Sequence, residues 1–192
     1  MDITGLILAG GRGSRMGSID KGLAPLSGLA MVQHVLARLK PQVQSLLISA
    51  NQNTDAYAAF GVSVWPDAMP GFAGPLAGLQ TGLMHCETPY LVTAPCDSPF
   101  LPTDLVERLS AALLTESADL AVAVTGAADA RQSHPVFCLT KVLVLPHLTA
   151  FLESGGRKIE HWYATLRVVE VHFANEAAFR NINTLAELRE LG

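Results

Sequence analysis

Apolar residues along this chain recur in two rhythms, and the switches between them outline its elements. Ile3 to Ala9 is a short apolar run rich in branched residues, the pattern of a buried strand, and it breaks abruptly at Gly10, Gly11 and Gly13. Met31 to Lys40 sets Val32, Val35, Leu36 and Leu39 on one helical face before Pro41 stops it. Gln42 to Ala50 reads as a strand centred on LLIS, Thr54 to Phe60 as a short helix, and Gly61 to Trp65 as a brief strand ending at Pro66 and Asp67. Pro75 opens a helix, where its missing N–H costs nothing, with Leu79, Leu83 and beside them Met84 toward the core. Pro89 to Ala94 is a fourth strand, Leu101 to Leu114 an amphipathic helix, and Asp119 to Val124 a fifth strand. After a loop from Gly126 to Ser133, Val136 to Leu139 runs as a strand and Lys141 to Glu153 is mostly helical despite Pro146. A short helix through Trp162 and Tyr163, an alternating edge strand from Arg167 to Phe173, and a helix from Leu185 to Leu191 complete the series.

Strands separated by helices predict an α/β fold: a single-domain Rossmann-like, doubly wound, mostly parallel sheet with helices on both faces and a late antiparallel edge. With 192 residues, 49% of them hydrophobic, one domain spanning residues 1–192 has enough material for a substantial core. No internal repeat, low-complexity tract or linker divides it. Charged residues are only 16% and the formal net charge is −4, which argues against a nucleic-acid partner. The beginning MDITGLILAGG lacks the features of a secretory leader, and no apolar run reaches the roughly 18 residues of a membrane span, so the expectation is a cytoplasmic protein without membrane contact. Cys86, Cys96 and Cys138 form no CxxC pair and read as reduced, packed thiols. The six histidines show no ligand spacing, which disfavours a zinc site.

Positive charge is instead focused after the first strand. Glycines there let backbone amides approach a ligand, and Arg12, Arg15 and Lys21 face only Asp20 within the loop, the outline of a polyanion site. The dinucleotide pattern GxGxxG fails because Met16 stands where its last glycine belongs, and GxxxxGK[ST] occurs nowhere. What remains, LAGGxxxRMGxxK, resembles the signature loop of the molybdenum cofactor guanylyltransferase family. The resemblance extends in order through Asn51, Asp67, GPLAG at 74–78, PCDSP at 95–99, GGRK at 155–158 and NINT at 181–184.

The resemblance implies a Mg²⁺-dependent nucleotidyltransferase that joins GMP from GTP to molybdopterin with loss of pyrophosphate. It assigns Leu8, Ala9, Gly10, Gly11, Lys21, Asn51, Asp67, Gly78 and Asp97 to the nucleotide, with Arg15, Lys21 and Asp97 carrying catalysis and Asp97 holding the metal. Arg157, Asn181 and Asn183 would face the pterin, and molybdoenzyme maturation proteins would be transient partners.

Local readings stand beside these roles. Asn51 and Asp67 lie just past strands, where α/β sheets gather ligands, yet each equally suits an Asx turn. Gly78, unfavourable within a helix, signals close approach by a ligand or by plain helix packing. Asp97, between two prolines at a strand tip, suits Mg²⁺ against a triphosphate; it also suits a turn cap, or Ser98 opens the next helix. Thr184 with Glu187 forms a capping box, leaving one neighbouring asparagine free to face a ligand. An acceptor phosphate is already ionised, so transfer needs no strong base, consistent with the lack of a Ser/His/Asp or Cys/His nucleophile arrangement. The family resemblance further implies, through Gly10 of LAGG alone, GTP rather than CTP. Cytidylyl transfer to the same cofactor, transfer to a sugar phosphate, and a non-catalytic nucleotide-binding module are the alternatives.

Overall fold

The computed structural model describes residues 1–10, 20–69, 74–127 and 129–191. A seven-stranded sheet runs through it in the order β5-β4-β1-β6-β8-β7-β9. Its strands are β1 (Ile3–Leu8), β4 (Ser45–Ser49), β5 (Ser63–Trp65), β6 (Tyr90–Pro95), β7 (Leu120–Thr125), β8 (Gln132–Lys141) and β9 (Val168–His172). A two-stranded ribbon, β2 (Pro25–Leu26) with β3 (Leu29–Ala30), stands apart. The helices are α1 (Met31–Leu39), α2 (Thr54–Ala58), α3 (Pro75–Met84), α4 (Leu105–Thr115), α5 (Leu145–Glu153), α6 (Ile159–Tyr163) and α7 (Leu185–Leu191).

Both faces of the sheet are covered, which is why its strands read as continuous apolar runs rather than alternating ones. Successive residues nonetheless divide between two cores. Ile3, Ile7, Ile48, Val92 and Ala121 pack with α1, α2 and α4 through Val32, Val35, Tyr57, Leu105 and Leu109. Leu6, Leu47, Leu91, Leu120 and Val122 pack with α3, α5 and α6 through Leu79, Leu83, Leu148, Leu152 and Trp162. A small third cluster, Ala24, Leu26, Met31, Ile182 and Leu188, binds the tail to the β2–β3 ribbon.

Chain order reverses direction at β1. From β1 the sheet grows through β4 and β5 on one side and then through β6 on the other, all parallel. That leaves a crevice outside the carboxyl ends of β1 and β6, the switch point where open α/β sheets take their ligands.

The α/β, mostly parallel architecture predicted from the sequence is present, with one correction: the reversed strand is not at the edge. β8 is antiparallel to both β6 and β7 and lies inside the sheet, while the edge strand β9 runs parallel to β7. Val136–Leu139 marks only the core half of β8, because its other half is polar and half-exposed. Pro135 offers no N–H to a ladder, and the pairing with β7 slips between Val122 and Ala123 as the chain bulges around it.

Two boundaries also shift. Gln42 does not begin a strand; it sits in a 3₁₀ turn, Lys40–Gln42, where its amide donates to Pro102 O at 2.9 Å and accepts from Val106 N at 3.0 Å. With Leu101 O taken by Arg38 Nε at 2.6 Å, α4 starts at Leu105 rather than Leu101. Met84, at the end of α3, is exposed and faces no core. Among the described residues, no helix is long and apolar enough to cross a membrane, and the three cysteines are free thiols.

Candidate active site

The turn that follows β1 is inserted between its neighbours' carboxyl ends. Ala9 N donates to Ser49 O at 2.8 Å, and Cys96 N donates to Leu8 O at 3.0 Å, so Leu8, Ala9 and Gly10 lie between the ends of β4 and β6. On the β4 side, Asn51 and Asp67 hold each other. Asn51 Nδ2 donates to Asp67 Oδ2 and Asp67 N donates to Asn51 Oδ1, both at 2.8 Å, and Ser49 Oγ gives Asp67 Oδ1 a third bond at 2.8 Å. A Cβ on Gly10 would stand 3.0 Å from Asn51 Nδ2 and 3.6 Å from Asp67 Oδ2. Backbone and pair are thus in direct contact, and neither residue is a simple Asx turn.

On the β6 side, Asp97 follows the strand directly. The residue is 8% exposed, and burial pushes its carboxyl above the usual carboxylate range while the Lys21 ammonium pulls it part of the way back. Lys21 Nζ lies 3.2 Å from Asp97 Oδ2 and 2.6 Å from Asn183 Oδ1. One ammonium therefore joins the loop after β1, the turn after β6 and the tail.

The tail is fastened to that turn by backbone and side chain. Ile182 N donates to Asp97 O at 2.9 Å, and Ser98 Oγ, fully buried, donates to Asn181 Oδ1 at 2.7 Å. Thr184 and Glu187 form the expected capping box: Glu187 N donates to Thr184 Oγ1 at 3.2 Å, while Glu187 Oε2 accepts from Thr184 N at 3.0 Å and from Asn183 N at 2.8 Å. Asn183 thus serves the helix start with its backbone and Lys21 with its side chain.

Asn181 and Asn183 also line a cavity of about 790 Å³ between the tail and the β8 bulge, with Pro95, His134, Phe137, Phe179 and Arg180. His134 is stacked on Phe179 at 4.7 Å between centroids and its Nε2 lies 2.8 Å from Thr125 Oγ1. Burial lowers its pKa from the ordinary histidine value, which favours the neutral ring. The cavity reaches Pro95, two residues before Asp97, and both tail asparagines.

Two expected residues have other surroundings. Gly78 is buried in α3, and a Cβ there would lie 2.6 Å from Leu8 Cδ2 and 3.0 Å from Ser49 Oγ, so helix-to-sheet packing accounts for it. Arg157 does not line the cavity; its Nη1 donates to Leu152 O at 2.8 Å and Gly156 O at 2.6 Å, closing the end of α5. Gly11 and Arg15 lie outside the described residues. Sequence reasoning passed over Ser49, whose hydroxyl fixes Asp67, weighed Ser98 only as a helix start although its hydroxyl fixes Asn181, and took His134 for an ordinary histidine. Only its place before Pro135, where a strand must bulge, marked it.

Residues 5–168 match the model of the MobA-like NTP transferase domain. The chain is 61% identical over 189 residues to a molybdenum cofactor guanylyltransferase of Cupriavidus necator, covering 98% of this chain and 95% of that one. It is 58% identical over 190 residues to the enzyme of the same name from Bordetella petrii, covering 99% and 97%. Among solved structures, molybdopterin-guanine dinucleotide biosynthesis protein A from Archaeoglobus fulgidus superposes with a TM-score of 0.78 at 22% identity, over 98% of this chain and 96% of that one. A CMP:2-keto-3-deoxy-manno-octonic acid synthetase complexed with CTP superposes with a TM-score of 0.79 at 14% identity, over 99% and 96%. At those identities the two structures establish the shared fold.

Proposed function

We propose that this chain, which belongs to the molybdenum cofactor guanylyltransferase family, uses its switch-point crevice to transfer GMP from GTP to molybdopterin, releasing pyrophosphate and forming molybdopterin guanine dinucleotide. The observation that carries the reading is the meeting of Lys21, Asp97 and Asn183 at one point. A cation from the glycine turn, a buried carboxylate from the fourth strand's tip and an amide from the tail converge where a triphosphate and an acceptor must be brought together.

Reaction requires an acceptor phosphate oxygen to attack the α-phosphorus of GTP while pyrophosphate leaves in line. The acceptor is already ionised, so positioning and charge neutralisation carry the rate. Lys21 takes the triphosphate as a point charge, Arg15 would add a planar fork, and the backbone of Leu8, Ala9 and Gly10 forms one wall, with Gly11 next in sequence. Asn51 and Asp67, clamped by Ser49, form a rigid polar wall for the nucleoside, and Gly78 keeps α3 close behind it. Asn181 and Asn183 present the acceptor from the cavity beside Asp97, and Arg157 stands outside that set.

The donor set fits Mg²⁺. Among the described residues there is no group of three or more His, Cys, Asp or Glu side chains to form a protein cage. A hard cation that prefers one or two carboxylates plus substrate phosphates and waters matches the lone buried Asp97. When bound there, Mg²⁺ would neutralise phosphate charge and stabilise the leaving pyrophosphate. One domain carries the whole activity, it works in the cytoplasm, and molybdoenzyme maturation proteins receive its product.

Purified protein with Mg²⁺, GTP and molybdenum-loaded molybdopterin should release pyrophosphate, and CTP, ATP and UTP should fail under the same conditions. A preference for CTP would replace guanylyl with cytidylyl transfer, and nucleotide binding without pyrophosphate release would reduce the chain to a binding module.

A further inference from the structure

Asp20, immediately before Lys21, has both carboxylate oxygens engaged by the protein. Oδ1 accepts from Gly22 N at 3.1 Å and from the Tyr57 hydroxyl at 2.5 Å, and Oδ2 accepts from Asn53 Nδ2 at 3.0 Å. Tyr57 is fully buried in the core below α2, and Asn53, in the left-handed region at φ 51°, begins that helix. The carboxylate therefore ties the Lys21–Leu23 turn to a separate, packed element 33 and 37 positions away. Contact is close enough that Gly22 must lack a side chain, since a Cβ there would lie 2.3 Å from Tyr57 Oη and 3.2 Å from Cys96 Sγ.

A lysine stem is long and has many rotamers, so where its ammonium goes depends on how firmly its root is held. Lys21 is only partly buried, with 23% of its side chain exposed, and its two contacts are at its tip. The remaining constraint is at the backbone, where Ala24 N donates to Lys21 O at 3.2 Å and the Asp20 side chain ties the turn to α2.

We propose that Asp20 is a positioning residue for nucleotidyl transfer: through Tyr57 and Asn53 it fixes the turn from which Lys21 presents its ammonium to the triphosphate. This rests on the reading of Lys21 as a phosphate ligand. With its oxygens turned onto a hydroxyl and two amides of the protein, Asp20 touches neither nucleotide nor metal, and its effect is transmitted through Lys21 alone.

The test compares Asp20→Asn, Tyr57→Phe and the double variant, with GTP turnover, inhibition by pyrophosphate and inhibition by guanosine as readouts. Loss of one anchoring contact should raise the GTP KM and the pyrophosphate inhibition constant roughly tenfold in Asp20→Asn and about threefold in Tyr57→Phe. Guanosine, which has no phosphate for Lys21 to hold, should keep its inhibition constant within about twofold, and the double variant should be no worse than Asp20→Asn because both act through one contact. Guanosine weakening in step with pyrophosphate would mean general loosening and would overturn the proposal, as would unchanged pyrophosphate binding. Should Asp20→Asn fail to fold in thermal melts, Tyr57→Phe decides by the same ratio. If the unaltered protein fails to transfer GMP, the guanylyltransferase reading falls, and pyrophosphate binding by the same variants still judges Asp20.

Discussion

Lys21 and Asn183, 162 positions apart, meet at 2.6 Å, and the same lysine stands 3.2 Å from Asp97. Among the described residues, Lys21 is the one cation paired with the buried Asp97 carboxylate. Replacement by alanine should cut kcat/KM for GTP by on the order of 100-fold, with KM and kcat both affected, since a charge-assisted contact is lost in ground and transition states alike. Steady-state kinetics check this, and a GTP KM within twofold of the original would remove Lys21 from the phosphate site.

Asp97→Asn keeps the shape of the side chain and removes its charge. Turnover should fall on the order of 10²–10³-fold, the scale of a lost electrostatic contact to a transition state, while GTP binding measured without Mg²⁺ should change little. Titrating Mg²⁺ should stimulate the parent and leave the variant flat. Equal stimulation of both would place the cation elsewhere.

Gly10→Ala adds a methyl group 3.0 Å from Asn51 Nδ2. Three hydrogen bonds at 2.8 Å hold that amide and Asp67 in place, so the pair has little room to retreat. GTP affinity should fall several-fold with thermal stability nearly unchanged, and competition among GTP, CTP, ATP and UTP should show the discrimination narrowing. Unaltered nucleotide preference would mean that base choice is made away from the Gly10, Asn51 and Asp67 contact.

Asp119 gives the clearest pH response. Hydrogen bonds from the Arg167 side chain, at 2.9 and 3.1 Å, together with Lys141, hold its carboxyl at about 2. Because the folded value lies below the unfolded one, this stabilisation is complete above the ordinary aspartate range and is lost as pH falls through it toward 2. Chemical denaturation from pH 5 downward should show the parent losing more stability than Asp119→Asn. Parallel curves would mean the exposed Arg167 contributes nothing in solution.

Gly78→Ala tests packing against ligand contact. Overpacking Leu8 Cδ2 at 2.6 Å should cost about 1–3 kcal/mol, partly offset by alanine's better helix propensity. Urea denaturation should show a net loss. A variant of unchanged stability but weakened GTP binding would restore Gly78 to the nucleotide.

Much of this was legible in the residues themselves. Apolar rhythm located every strand of the main sheet, and proline positions dated the starts of α3 and the end of α1 well. Its failures share one cause, long-range partners. Gln42 left its strand for the start of α4, 64 residues on, and the antiparallel strand expected at the edge is the interior β8, because period-two alternation carries no record of neighbours. Of the residues the motifs singled out, Lys21, Asp97 and Asn183 meet in the fold, and Asn181 joins them through Ser98. Arg157 followed a motif match but serves its own helix end, and Tyr57 was invisible because only the fold brings an apolar-looking helix residue to Asp20.

Fastening the tail to the turn after β6 also fixes when the crevice matures. Lys21 meets one partner 76 residues away and another 162 away, so the second contact waits for nearly the whole chain. A nascent chain halted on the ribosome before Asn183 could assemble most of the sheet, yet would leave its ammonium only half restrained. A polypeptide without its tail therefore lacks one of the two side-chain contacts that hold the Lys21 ammonium.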